Sequence, residues 1–227
     1  MILWKGIDFK SKGIIVETTP KISKGKKRIE TYEIEGRNGF LTIDKGTYAS
    51  FVVSVECHIN EDITSIDNIK EFLDGYGTLS FDGKKEYTAI IQNAISFEKV
   101  TNFKKFVIQF LVNPISKDIE AQTQTINTSP FSFEINEATT NMYPLIKIEG
   151  TGDVSITFNN KTFYLYGLDS SLSYILDCEN KEIINSNGLN CSGQMRYDFP
   201  YLKSGNNDIS YTGIITNIEI EYKKAYL

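Results

Sequence analysis

The chain has 227 residues, 41% of them hydrophobic and 23% charged, and a net charge of −5. That composition supports a packed core and excludes a disordered chain, and the mild acidity speaks against a dedicated nucleic-acid binder, which carries a dominant basic face. With 13 Tyr and 14 Phe among frequent Ile, Val and Thr, strands are favoured over helices.

The opening Met1-Ile2-Leu3-Trp4-Lys5-Gly6 has no continuous apolar h-region, and no run approaches the ~18 apolar residues of a membrane span. The expectation is a chain made and kept in the cytosol until something else carries it out, with no membrane contact. Residues 1–19 read as short strands, Ile14-Ile15-Val16 the most strand-like piece. Pro20 to Arg28 reads as a basic turn in which Lys21, Lys24, Lys26, Lys27 and Arg28 surround Gly25. It is either a solvated hairpin tip or a contact with an acidic partner or phosphate.

Glu30 to Ile34 leads as a strand into Gly36-Arg37-Asn38-Gly39, a turn suited to positive φ. Phe51 to Ile59 alternates: Phe51, Val53, Val55, Cys57 and Ile59 on one face, Ser54, Glu56 and His58 on the other. The run from Ile63 to Pro114 organises the first half. It opens with a short helix over 65–74, whose Ile66, Ile69, Phe72 and Leu73 stack on one side. Thr64 or Ser65 caps its start, Asp67 sits at the positive end, and Gly75 takes the left-handed turn that ends it. Strands over Thr78–Phe81, Tyr87–Phe97 and Lys105–Val112 follow, with a turn at Asp82-Gly83 and a hairpin-like connection from Lys99 to Lys104.

The polar stretch 115–130 reads as a linker between a domain over 1–114 and one over 131–227. The second domain shows short strands over Phe131–Ile135, Leu145–Glu149, Val154–Phe158, Thr162–Tyr166, Leu172–Asp177 and Gly213–Tyr222. Gly150-Thr151-Gly152, Asn159-Asn160, Asn187-Gly188 and Ser204-Gly205-Asn206-Asn207 are expected as turns. Such spacing signals a sandwich or jelly roll. The last strand can stay in this domain or return to pair with the first.

The search for chemistry nominates no catalytic residue, cofactor or metal site. GxSxG and P-loop motifs are absent, and Gly75-Tyr76-Gly77 lacks the third glycine of a dinucleotide fold. His58, the single histidine, excludes a multi-histidine metal cluster, and no paired nucleophile is evident. Cys57 is a small core residue; Cys178 and Cys191 can meet across the second domain, though a bridge is unexpected in a reducing compartment. Asp177 and Glu179 read as a solvated loop. The aromatics Tyr164, Tyr166, Tyr174, Tyr197, Phe199, Tyr201 and Tyr211 are either packing or a sugar-stacking platform, with Tyr164 and Tyr166 the candidate glycan contacts.

Several pieces in order resemble the distal tail protein family of long-tailed bacteriophages and prophage elements of Gram-positive bacteria. They are Trp4-Lys5-Gly6-Ile7-Asp8, Glu35-Gly36-Arg37-Asn38-Gly39, Phe72-Leu73-Asp74-Gly75-Tyr76-Gly77, Asn113-Pro114, Tyr143-Pro144-Leu145, and Leu202 to Ile209 around Gly205 and Asn206. The resemblance implies a mainly β fold with one short helix: an N-terminal β-sandwich-like ring domain and a C-terminal galectin-like or jelly-roll β-sandwich. It implies a homohexameric ring joining the tail tube to the tail-tip hub and receptor-binding apparatus. The implied partners are the tube protein, the tape measure protein, the hub with its tail-associated lysin, and a receptor-binding protein. The implied location is the virion tail tip, assembled in the host cytoplasm. Under it Lys24, Lys26, Lys27 and Arg28 face a neighbouring tail protein or the lumen. The rival readings are a carbohydrate-binding adhesin module acting through the C-terminal sandwich and a cell-wall hydrolase.

Overall fold

Burial along residues 51–59 alternates as the chemistry does: Val53, Val55, Cys57 and Ile59 are buried, whereas Val52, Ser54 and Glu56 face out. In the computed structural model, which describes residues 1–59, 65–100 and 103–227, the chain divides into two units, Met1–Lys117 with Leu227 and Asp118–Tyr226. The first unit carries β1 (Leu3–Trp4), β2 (Ile7–Asp8), β3 (Ile14–Val16), β4 (Lys27–Glu33), β5 (Phe40–Tyr48) and β6 (Phe51–Ile59). Then come α1 (Ile66–Phe72), β7 (Tyr76–Ser80), β8 (Lys85–Ile91), β9 (Glu98–Val100) and β10 (Phe103–Asp118). One antiparallel sheet runs in the order β2-β1-β7-β8-β10-β6-β3, with β9 beside β10. Phe106, Ile108 and Phe110 of β10 stand directly opposite Cys57, Val55 and Val53 of β6. Around them Trp4, Phe9, Ile14, Ile69, Leu79 and Val112 complete one buried cluster.

The helix is shorter than expected. Ser65 is its N-cap, the hydroxyl accepting from the Asn68 N–H at 3.3 Å, and Gly75 turns the chain away at φ 74°. Ile63 and Thr64 lie outside the described residues, as do Thr101 and Asn102 of the connection before β10. β8 ends at Ile91, not Phe97. The reason is Asn93, whose Nδ2 donates to the Val107 carbonyl at 2.9 Å and whose Oδ1 accepts from the Gln109 N–H at 2.7 Å. A side chain there takes over the ladder and lets the backbone leave the sheet.

The second unit carries β11 (Gln122–Ile126), β12 (Phe131–Ile135), β13 (Leu145–Phe158), β14 (Lys161–Leu168), β15 (Ser173–Asp177), β16 (Glu182–Asn185), β17 (Met195–Arg196), β18 (Gly205–Tyr222) and β19 (Ala225–Tyr226). The polar stretch 115–130 is not free of regular structure. β10 continues to Asp118, and β11 pairs with β18 from Gln122↔Tyr222 to Ile126↔Ile218. Only Ile126 of β11 is buried, so an outer strand of this kind needs little apolar content.

Two expected strands are one. β13 runs unbroken through Gly150-Thr151-Gly152, pairing with β15 over Leu145–Glu149, with β14 over Gly152–Phe158, and with β18 along its length. Register shifts at Glu149/Gly150 and between Thr151 and Ser155 are bulges, which bend the pair and curl the sheet. β18 begins at Gly205 rather than Gly213, so Asn206 and Asn207 lie in a strand, not a turn. Asn207 is fully buried with every polar group engaged. Its Oδ1 accepts from the Lys203 N–H and Asn159 Nδ2 at 3.0 and 2.9 Å, and its Nδ2 donates to the Lys203 and Gly205 carbonyls at 2.9 and 3.1 Å. The last long strand therefore belongs to the second sheet. The architecture is mainly β, in curled antiparallel sheets of the β-sandwich class, with one α-helix among the described residues.

Candidate interaction surface

β4 and β5 pair with each other from Lys27↔Tyr48 to Glu33↔Phe40 and join neither large sheet. Every residue from Lys27 to Thr47 is exposed. A lone two-stranded hairpin is marginal in water, and this one displays Ile29, Tyr32, Ile34, Phe40, Leu41 and Ile43, with Phe40 62% accessible. Directly opposed residues share a face. Tyr32 with Leu41, and Glu30 with Ile43, mark one face; Ile29 with Asp44, and Glu33 with Phe40, mark the other. Apolar side chains therefore stand on both faces, the signature of a surface that another surface covers.

Part of the hairpin's charge is matched within it. Lys27 pairs with Asp44, Lys45 lies 2.9 Å from Glu30, and the Tyr32 hydroxyl donates to Glu30 at 2.8 Å. The hydrogen bond from Lys27 holds the Asp44 carboxyl below its ordinary range, and that from Lys45 does the same for Glu30. The basic cluster is at the hairpin's base, not at its tip as expected: β4 starts at Lys27, and the turn is Gly36 to Gly39, whose glycines have φ 77° and 85°. Arg37 and Asn38 occupy that tip. Lys24 Nζ sits 5.6 Å over the Tyr48 ring, and the Lys26 carbonyl accepts from the Ala49 N–H at 2.7 Å. Gly25 is buried between them, where a Cβ would come within 2.6 Å of Pro114 Cβ and 2.7 Å of the Ala49 oxygen. Only glycine lets the chain pass there.

The other singled-out residues are dispersed. The Asp74 carbonyl accepts from Lys5 Nζ at 2.7 Å, beside Gly75 at the helix end. Gly205, at φ 87°, opens β18, and Asn206 Nδ2 donates to Asp208 Oδ1 at 2.7 Å. Tyr164 and Tyr166 are exposed on β14 with ring planes 10° apart, whereas Tyr174 is core, its hydroxyl accepting from the Asp169 N–H. His58 Nδ1 lies 3.2 Å from Glu17 Oε1, and Lys105 Nζ donates to Glu17 at 3.0 Å. That lysine, first, and His58 hold the Glu17 carboxyl low. The sequence neighbour Glu56 is not the partner. Cys178 and Cys191 are not bridged; all three thiols are free. Burial pushes Cys57 up to about 12 and raises Cys178 as well. Among the described residues no helix is long and apolar enough to cross a membrane.

Two mainly antiparallel β units, the first with one α-helix among its described residues, define a class of curled β-sandwich proteins. That same fold is seen in the crystal structure of the phage SPP1 Dit protein (gp 19.1), described as a paradigm of the hub adsorption apparatus in Gram-positive-infecting phages. The TM-score is 0.77 over 100% of this chain and 98% of that one, at 14% identity, so the likeness is one of fold. No protein-family profile and no curated protein matches the sequence.

Proposed function

We propose that the chain is a structural component of a phage tail tip, a distal tail protein that assembles as a homohexameric ring joining the tail tube to the tip hub and receptor-binding apparatus. The observation that carries this reading is the hairpin β4–β5, apolar on both faces and unpaired with the rest of its unit. The full-length fold match to SPP1 Dit, a hub adsorption protein, supports the setting. A second copy of this chain is the natural cover for such an arm. A head-to-tail contact of this kind closes into a ring when the rotation between copies closes. The tube protein, the tape measure protein, the hub with its lysin, and a receptor-binding protein are its neighbours at the virion tail tip, with assembly in the host cytoplasm. The role is structural rather than catalytic: His58 is taken up by Glu17, and the thiols of Cys57 and Cys178 are buried. The basic base of the hairpin, Lys24, Lys26, Lys27 and Arg28, faces an acidic neighbour in the tail.

Light scattering after gel filtration, with negative-stain images, tests the ring. Six copies of the 25.7 kDa chain give about 154 kDa and a particle with a central hole. Phe40→Asp combined with Leu41→Asp leaves a folded monomer. A wild-type chain that stays monomeric and fails to restore tails lacking their distal tail protein would sink the proposal.

A further inference from the structure

Across the outward face of the second unit one register row crosses four strands. Thr212 of β18 pairs with Ser155 of β13, Ser155 with Tyr164 of β14, and Tyr164 with Arg196 of β17. Three strand spacings make this row roughly 15 Å long. Tyr166 follows two residues along β14, its ring plane 10° from that of Tyr164 with centroids 6.3 Å apart. Were β17 to continue past Arg196, Tyr197 would point to the opposite side from it by simple alternation. Its backbone instead adopts φ 74°, and its ring lies 5.7 Å from that of Tyr164. A left-handed conformation at a bulky aromatic is costly, and such strain concentrates where a side chain is held for use. The result is a platform of three tyrosines, 37%, 42% and 76% exposed for Tyr164, Tyr166 and Tyr197.

What surrounds the platform decides its ligand. Ser155 and Thr212 are joined hydroxyl to hydroxyl at 2.7 Å, and Thr157 and Thr162 likewise. These short side chains leave the tyrosine rings standing above the sheet, and the row holds no aliphatic residue. A protein hot spot has its aromatic anchor packed in a desolvated pocket, which is not what this row provides. A pyranose ring offers an apolar C–H face bordered by hydroxyls. It can lie on a tyrosine while exchanging hydrogen bonds with Ser and Thr hydroxyls and accepting from the forked guanidinium of Arg196. We propose that Tyr164, Tyr166 and Tyr197, with Arg196 and the adjoining hydroxyls, form a binding face for a pyranose oligosaccharide. This goes beyond the ring and does not depend on it.

The test uses the full chain on an array of immobilised oligosaccharides of glucose, galactose, rhamnose and N-acetylglucosamine, then titrates the best-bound member in solution. Tyr164→Ala and Tyr197→Ala each weaken binding roughly tenfold or more, the loss of one aromatic stack, while Tyr197→Phe retains it. Tyr76→Ala, at an exposed tyrosine of the first unit, leaves binding unchanged. Unaltered melting temperatures confirm that the variants fold. Absence of wild-type binding to every saccharide overturns the proposal, and so does equal binding by Tyr164→Ala and Tyr197→Ala. Loss of particle assembly in those variants without wild-type saccharide binding would make the face a protein interface instead. The particle mass, read on the same samples, reports separately on the ring.

Discussion

The indole N–H of Trp4 donates to the carbonyl of Phe72 across 3.1 Å, joining residues 68 apart in sequence. Phe72 is the last residue of α1, so its carbonyl is among those a helix leaves without an internal partner. Trp4, fully buried and packed 5.1 Å from the ring of Phe110, thus both fills the first core and caps the helix that lies on it. Trp4→Phe keeps most of the packing but orphans that carbonyl, and is expected to destabilise the first unit by about 2 kcal/mol. Urea unfolding followed by circular dichroism measures the loss; an unchanged midpoint refutes the tie.

Gly150 and Gly213 stand at close approaches of β13 and β18. A Cβ on Gly150 would meet the Ile214 oxygen at 2.6 Å, and one on Gly213 the Asp153 oxygen at 2.7 Å. Gly213 also has φ 95°, a conformation that L side chains avoid. Gly150→Ala should cost about 2 kcal/mol through crowding alone, and Gly213→Ala more, since strain adds to the clash. Thermal unfolding of the two variants gives the order directly.

Asn207 uses both ends of its amide to hold Lys203, Gly205 and Asn159. Asn207→Asp removes two donors and places an acceptor against the two carbonyls. The expected loss is about 3 kcal/mol at neutral pH, partly recovered as acid protonates the new carboxyl. A stability that, relative to the wild type, falls or stays flat on acidification from neutral would contradict this assignment.

Thiol labelling should divide the cysteines two against one. Cys57 and Cys178 are buried and their thiols are pushed up, so neither presents a thiolate near neutral pH, whereas Cys191 is part-exposed. Mass spectrometry after brief iodoacetamide treatment is expected to find one fast adduct on Cys191. Labelling of Cys57 or Cys178 at the same rate would mean local opening of its strand.

The hairpin should be held within a pH window. Asp44 is depressed below its ordinary 3.8, so its contribution is present above that value and lost as pH falls through the lower folded value. Lys27 is raised above its ordinary 10.5, so its contribution is present below that value and lost as pH rises through the higher folded value. Amide exchange in β4 and β5 should accordingly be slowest relative to the intrinsic rate between those limits and faster at both extremes. Added salt should weaken the protection, because the pair is exposed.

Much of this fold is written locally. Phe51–Ile59 and Phe131–Ile135 appear at the expected residues because one side of each meets a core or a neighbouring strand, and alternation records it. The helix was legible from Ile66, Ile69, Phe72 and Leu73 for the same reason. β5 was not, since Phe40 to Thr47 is exposed throughout and nothing imposes a period on it. Glycine misled in the second unit: Gly150-Thr151-Gly152 looks like a turn, but the same backbone freedom makes a bulge inside β13. Asn93 misled in the other direction, because no spacing shows that a side chain will replace a ladder bond. Of the candidate surfaces, the tyrosines on β14 were visible as an i, i+2 pair. Tyr197 joins them only through a left-handed residue and a strand pairing that the sequence does not display.

β13 and β18 lie side by side in opposite directions, and their ladder extends from Leu145↔Glu221 to Phe158↔Ile209. A pull along their common axis would strain these hydrogen bonds together, in shear, instead of opening them one after another as peeling does. Asn207, locked near one end of the pair, ties down one of the two places at which such peeling could start. The second unit is thereby built to resist tension along one direction far better than across it, a mechanical anisotropy that single-molecule stretching with differently placed handles would reveal.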